Sequence, residues 1–110
     1  MTKYLISFPS AAMVFDEADL PAIVHDSHAV IWEAKAAGVY VFGGGINESV
    51  AAVKVASDGT ATTSPYLELN GGFLVLELPT RESAVEWAAK IATACRCPQD
   101  LREFGYDPES

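Results

Sequence analysis

The segment FLVLEL, residues 73–78, constrains the fold more than any other part of the chain. Its first four residues carry no polar side chain, and it directly follows the glycine pair Gly71-Gly72. A short apolar run bounded by turn residues is typical of a strand that is buried on both faces. We therefore predict that this strand lies in the middle of a sheet, with other strands beside it.

The pattern of β-forming residues and turn residues predicts further strands around this central one. In chain order they are residues 3–8, residues 39–42, a strand around Val53 and Val55, the threonine-rich stretch 60–63, and an edge strand within 100–106. The Asp58-Gly59 pair predicts a hairpin between the third and fourth of these. The run Gly43-Gly44-Gly45 precedes another strand and no helix, so we expect a turn or bulge there and no nucleotide-binding loop.

Two stretches have the apolar spacing of amphipathic helices. In the first, Asp16 or Asp19 can cap the helix and Gly38 ends it. In the second, Thr80 is the cap and the helix fades near Ala94. The apolar positions are Leu20, Ile23, Val24, Ile31 and Ala34 in the first helix, and Ala84, Trp87, Ala88 and Ile91 in the second.

The element order β-α-β-β-β-β-α-β predicts the fold class. It is an α+β, ferredoxin-like arrangement with an extra β-hairpin, in which two helices cover one face of a mostly antiparallel sheet. The 110 residues suit a single domain, residues 1–110. Because two helices leave the other sheet face open and the strands are apolar, we expect a homodimer.

The charge and the apolar content of the chain limit the kinds of partner that it can bind. The formal net charge is -8 and the isoelectric point is near 4.5, so binding to nucleic acid is not expected, since that affinity comes mainly from basic residues. The apolar stretches are far shorter than the roughly 20 residues that span a bilayer, and no signal peptide is recognisable at the start. We expect a cytoplasmic protein with no membrane contact.

Metals and other cofactors are also not expected. His25 and His28 are spaced to share a metal, but no third ligand is evident nearby. Cys95 and Cys97 are too close in the chain for an ordinary disulfide, and we interpret them as two reduced thiols in a loop.

Several stretches together resemble the YCII-related proteins of the DGPF type. They are YLISF at residues 4–8, HDSHAVIWEAKAAGVYVFGG at 25–44, AAVKVASDG at 51–59, and NGGFLVLELPTRESAVEWAAKI at 70–91. The resemblance implies a dimeric α+β barrel and a site near a first-helix histidine that matches His28. Where the family has Asp-Gly-Pro-Phe, this chain has Thr63-Ser64-Pro65-Tyr66. Some members are similar to muconolactone-processing enzymes and others accompany sigma factors, which implies a possible protein partner linked to transcription.

His28 is also a candidate from its position on the predicted helix. Helical geometry places it beside the apolar face, on one stripe with His25, Trp32 and Lys35. No acidic residue of the same helix faces it, so a carboxylate partner must come from another strand or a second subunit, and Glu68 is one candidate. Two roles stay open for His28: a partly buried histidine bonded to backbone, or a ligand-binding or acid-base group.

Two classes of function follow for this region. In one, the domain binds a small metabolite in a pocket beside the first helix, with Trp32, Ser64, Tyr66 and Glu68 as further ligand-binding residues. In the other, the domain is a cofactor-free enzyme of isomerase or lyase type. His28 would then be the catalytic acid or base, acting on a small polar or lactone-like substrate.

Overall fold

The computed structural model describes residues 1–110 as one α+β unit with two helices and two sheets. The strands are β1 (Thr2–Phe8), β2 (Tyr40–Gly45), β3 (Lys54–Val55), β4 (Ala61–Thr62), β5 (Gly72–Leu78) and β6 (Asp100–Glu103); the helices are α1 (Leu20–Ala36) and α2 (Arg81–Cys95). Short 3-10 turns at Ser10–Ala12 and Glu17–Asp19 connect β1 to α1. No helix is both long enough and apolar enough to cross a membrane.

The main sheet has four strands in the order β2-β5-β1-β6, and every neighbouring pair is antiparallel. This order confirms the predicted ferredoxin-like arrangement. β5 lies inside the sheet, as its apolar sequence indicated. The expected burial on both faces was wrong, because Leu74, Leu76 and Leu78 are buried and the alternate residues are only half-buried. β3 and β4 form the predicted extra hairpin, a separate two-stranded sheet whose strands are only two residues long.

The register of the sheet decides which side chains face the helices. Tyr4 pairs with Leu76, and Ile6 pairs with Leu74. All four are buried, because in a strand alternate residues point to the same face and this face carries both helices. The buried apolar cluster consists of Tyr4, Ile6, Val30, Ala34, Leu74, Leu76, Leu78, Ala84, Ala88, Ile91, Ala94, Cys95 and Cys97.

Helix α1 begins one residue after Asp19, which stands at the N-cap without a side-chain capping bond. Pro21 in the first turn fits a helix start, because proline has no N–H to leave unpaired. The helix ends at Ala36, and Gly38 follows with φ of +75°. Its buried residues are Ile23, Val30 and Ala34. The predicted apolar face was therefore wrong for Leu20 and Val24, which are 41% and 43% exposed.

Helix α2 confirms its predicted start and face. The Thr80 hydroxyl accepts a hydrogen bond from the Ser83 backbone N–H at 3.1 Å, and the Ser83 hydroxyl lies 3.3 Å from the Thr80 backbone N–H that donates to it. The helix continues to Cys95, and Arg96 ends it in the left-handed conformation at φ 59°. Cys95 and Cys97 are free and buried, so the prediction of two thiols in a loop was wrong: one lies in the helix and both are in the core.

Strand β2 corrects the prediction for the three glycines. They are paired with β5 as ordinary strand residues, with Gly43 opposite Leu74 and Gly45 opposite Gly72. The irregularity is earlier, where the register shifts between Tyr40 and Phe42. Glycine is usually depleted in strands, so the sequence pattern favoured a turn.

The sheet face away from the helices is open. Leu5 and Val75 lie at its centre, Phe42 is next to them at 60% exposure, and Lys3 and Glu77 stand at the rim.

The molecule measures 42 × 42 × 19 Å, and its radius of gyration is 15.7 Å. A compact domain of this length has a radius of gyration of about 13 Å. Only 15 of 110 residues are buried, so this chain is a thin two-layer slab.

Candidate functional site

Three glycines leave one end of the sheet without side chains on the face that carries the helices. Gly43, Gly45 and Gly72 share this face with Leu74, because Gly43 pairs with Leu74 and Gly45 pairs with Gly72. The space at Gly72 is taken by the ring of Phe8, which lies 2.7 Å from the position a Cβ would occupy. At Gly45 a Cβ would meet only the Gly71 carbonyl oxygen, at 3.4 Å. At Gly43 a Cβ would meet Leu74 at 3.3 Å and the Tyr40 hydroxyl at 3.4 Å, so the open part of the floor is the backbone at Gly45.

This space is a cavity of about 320 Å³ between α1, the end of α2 and the glycine-rich part of the sheet. It is in the lower part of the range of small-molecule sites, which runs from about 300 to 1,000 Å³. Its lining residues are Ile6, Phe8, Ser27, His28, Ile31, Gly43, Gly44, Gly45, Gly72, Phe73, Leu74, Ile91, Cys95 and Gln99. None of them is aspartate, glutamate, lysine or arginine.

His28 lines the cavity and is exposed to solvent at the same time, so it stands at the mouth. Its imidazole makes no hydrogen bond within the chain and is free to donate or accept one. The ring of Trp32, one turn further along α1, lies 6.1 Å from it between ring centres. Trp32 also has His25 at 6.4 Å in an edge-on arrangement. The aromatic part of the predicted stripe is therefore assembled on the outside of α1.

Three further groups in the lining are polar, and their bonding differs. The Ser27 hydroxyl donates to the Val24 carbonyl at 3.1 Å, a bond within the helix. The Gln99 amide nitrogen donates to the Cys97 carbonyl at 3.3 Å, which leaves the amide oxygen of Gln99 without a partner. Burial raises the pKa of the Cys95 thiol to about 11, so the thiol is protonated at neutral pH and is a poor nucleophile.

The structure brings only part of the predicted site together. His28 lies in the cavity wall and Trp32 is beside it, 58% exposed. Ser64, Tyr66 and Glu68 are exposed and do not line the cavity. The ring of Tyr66 is 90% exposed and has the ammonium group of Lys54 at 4.3 Å. Within one chain, His28 therefore has no carboxylate partner.

The sequence did not indicate the residues that form most of the cavity. Gly45 and Gly72 leave space for the cavity because they have no side chain. They lie side by side only because of the register between β2 and β5, which no local sequence pattern reveals. Gln99 enters from the turn before β6, far from α1 in sequence. One signal was present: if the run Gly43-Gly44-Gly45 is read as a strand, Gly43 and Gly45 lie on the same face.

A second hollow, of about 520 Å³, lies on the open sheet face under the C-terminal residues. Its polar groups already bond to one another, since the Lys3 ammonium donates to the Ser110 carbonyl at 3.0 Å and lies 4.0 Å from Glu77. It contains no histidine or cysteine. The cavity at His28 is the better candidate because the His28 imidazole and the Gln99 amide oxygen have no hydrogen bond within the chain.

No group of three or more histidine, cysteine, aspartate or glutamate side chains is placed to hold a metal ion. No protein-family model matches the chain, and no curated protein matches it.

Proposed function

We propose that the protein binds a small metabolite in the cavity between α1 and the glycine-rich end of the sheet. The observation that carries this proposal is the solvent-exposed imidazole of His28, which has no bond within the chain and stands at the mouth of a preformed cavity. Binding sites of this type are mostly apolar with a few free polar groups that orient the ligand. The free oxygen of Gln99 is the second such group.

A metabolite screen by thermal shift, followed by two histidine variants, tests this proposal. A ligand that binds only the folded protein raises its melting temperature as the ligand concentration exceeds Kd. His28→Gln should abolish this rise and leave the melting temperature of the free protein unchanged, because the imidazole is exposed and outside the core. His25→Gln is the matched control: His25 lies on the same helix and also contacts Trp32, but it does not line the cavity.

Two results would contradict the proposal. One is a ligand whose effect is lost equally in both histidine variants, which would move binding to the Trp32 surface. The other is a large drop in the melting temperature of free His28→Gln, which would show a structural role for this residue.

We further propose that the protein is a homodimer whose open sheet faces pack together. Leu5, Phe42 and Val75 give this face an apolar centre, and packing it against a second copy would remove it from water. Light scattering should give the mass of two chains at micromolar concentration. Phe42→Glu should produce monomers, whereas Val85→Glu, at a position on α2 that is also about half exposed, should not. A wild-type monomer would refute the proposal.

Ser64, Tyr66 and Glu68 do not line the cavity of their own chain, and we propose that they take part in contact with the second subunit. The segment that contains them belongs to residues 46–71, which carry seven of the eighteen large hydrophobic residues that are exposed in the chain. Exposed apolar residues in such number support contact with another chain.

The resemblance to YCII-related proteins remains part of the proposal. The ferredoxin-like sheet order supports it, as does the position of His28 in the first helix. A cytoplasmic location is also proposed, and two free buried thiols support it, because thiols stay reduced in that compartment.

A cofactor-free enzyme is the second candidate, supported by the free imidazole of His28. General acid-base catalysis requires a group within hydrogen-bond reach of the proton it moves, and an exposed imidazole at a cavity mouth can approach a bound ligand. Any ligand found by the screen should be followed by NMR for conversion. Turnover that disappears in His28→Gln would favour the enzyme, and unchanged ligand over long incubation would favour simple binding.

A further inference from the structure

We infer that the ligand of this cavity is an uncharged, flat compound of one or two rings with one or two hydrogen-bonding groups. The inference rests on the proposed function and adds the chemical class of the ligand. Size, charge and the shape of the floor each limit that class.

The volume limits the number of atoms. An apolar cavity of about 150 Å³ holds benzene, which has six carbon atoms. The cavity at His28 is about 320 Å³, roughly twice as large. It therefore fits a molecule of about twelve non-hydrogen atoms, such as a substituted ring or two fused rings.

The lining limits the charge. No aspartate, glutamate, lysine or arginine side chain reaches the cavity, and the whole chain carries a net charge of -8. An anion would enter a negative field and find no lysine or arginine, and a cation would find no carboxylate. Burying an unpaired charge is strongly unfavourable, so a neutral ligand is favoured over both.

The floor favours a flat ligand. No side chain rises from Gly45, where a Cβ would meet only the Gly71 carbonyl oxygen at 3.4 Å, so a planar molecule can lie on the peptide group there. Leu74 and Tyr40 lie 3.3 and 3.4 Å from the Cβ position of Gly43 and limit the floor on that side. The ring of Phe8, above Gly72, forms a wall beside this floor, and aromatic rings attract one another edge to face.

The polar groups limit the substituents. His28 can donate or accept one hydrogen bond, and the free oxygen of Gln99 accepts one. Ser27 already donates its proton within α1. A carbonyl, hydroxyl or ring N–H on the ligand satisfies these groups, and a more polar ligand would leave some of its own groups without partners.

Three probes of similar size test the class separately from the site. Coumarin is neutral and flat, coumarin-3-carboxylate is flat and anionic, and octahydrocoumarin is neutral and puckered. Each is titrated into ¹⁵N-labelled protein, and the amide signals of Gly43, Gly45 and Gly72 report occupancy. We expect coumarin to shift these signals, and the other two probes to bind at least ten-fold more weakly.

A pair of glycine variants identifies where the probe binds. Gly45→Val places a side chain in the cavity, at a position where φ is not positive and a Cβ meets one atom at 3.4 Å. Gly105→Val is the matched control, because Gly105 does not line the cavity, its φ is not positive, and no atom lies within 4 Å of an added Cβ there. Coumarin binding should be lost in the first variant and kept in the second. Circular dichroism and light scattering establish that both variants keep the fold and mass of the wild type.

The outcomes separate the two proposals. Tighter binding of the carboxylate, or equal binding of the puckered probe, would overturn the ligand class and keep the cavity as the site. Failure of coumarin to bind would likewise overturn the class, while the metabolite screen decides the site independently. Coumarin binding that survives Gly45→Val would place the ligand elsewhere and overturn both.

Discussion

Replacing Gly71 by alanine should destabilise the protein far more than the same replacement at Gly59. Both glycines have positive φ, +84° and +91°, where an alanine costs about 1–2 kcal/mol. Around Gly59 no atom lies within 4 Å of the added Cβ, so this backbone term is the whole cost. At Gly71 the Cβ would lie 1.9 Å from the Phe8 carbonyl oxygen. This oxygen belongs to the backbone, so it cannot move away by a side-chain rotation.

The cost of that overlap follows from what must move. Separating the two atoms to 3.0 Å requires a shift of about 1.1 Å at the start of β5 or the end of β1. The hydrogen bonds there join the Ile46 N–H to the Gly71 carbonyl at 3.0 Å and the Ser10 N–H to the Asn70 side chain at 2.9 Å. Losing two such bonds costs about 1–3 kcal/mol, so with the backbone cost the total is about 2–5 kcal/mol.

Thermal unfolding followed by circular dichroism measures the difference. At about 4 °C per kcal/mol, Gly59→Ala should lower the melting temperature by about 4–8 °C and Gly71→Ala by about 8–20 °C. Asparagine tolerates positive φ, so Gly59→Asn should be nearly neutral while Gly71→Asn stays strongly destabilised. Equal losses at the two positions would refute the close approach of Gly71 to Phe8.

Three further outcomes are expected. Thr80→Ala should lower the free energy of unfolding by about 1 kcal/mol in urea titrations, because it removes the cap of α2, and Thr62→Ala should have little effect. Burial raises the pKa of Cys95 from 9.0 to about 11, so the folded state holds this proton more tightly, and stability should be constant below pH 9 and fall as the pH rises toward 11. Cys95→Ala should reduce this alkaline loss, and an equal loss in the variant would contradict the assignment; the remainder includes Tyr4, whose pKa is also raised by burial. Saturable DNA binding at physiological salt should be absent, and binding that weakens steeply with added salt would contradict this.

The fold was predictable where a local pattern and the tertiary structure agree. The apolar run that became β5 correctly predicted an interior strand, and Thr80 correctly predicted the start of α2. The prediction failed at Leu20 and Val24, because helical spacing identifies an apolar side and cannot show how far the sheet beneath extends. Ile23, between these two residues in sequence, is only 2% exposed, so the buried side of α1 is narrower at this end than the apolar spacing indicated.

The candidate site was less predictable than the fold. His28 could be singled out from its place on a helix, but the space in front of it depends on glycines of two strands whose register is set by long-range pairing. A missing side chain gives no chemical signal in a sequence. The burial of Cys95 was also not predictable. It depends on the residue at which α2 ends, and a helix that ended at Ala94 would leave this thiol in a loop.

Because the molecule is thin, the shape of a dimer in solution depends strongly on which surfaces are joined. Two slabs of 42 × 42 × 19 Å stacked through their open faces would form a nearly isometric particle about 38 Å thick. Two slabs joined edge to edge through β2 or β6 would instead extend to about 84 Å and stay 19 Å thick. Both particles have the same mass, so light scattering cannot distinguish them, whereas the maximum dimension from small-angle X-ray scattering can.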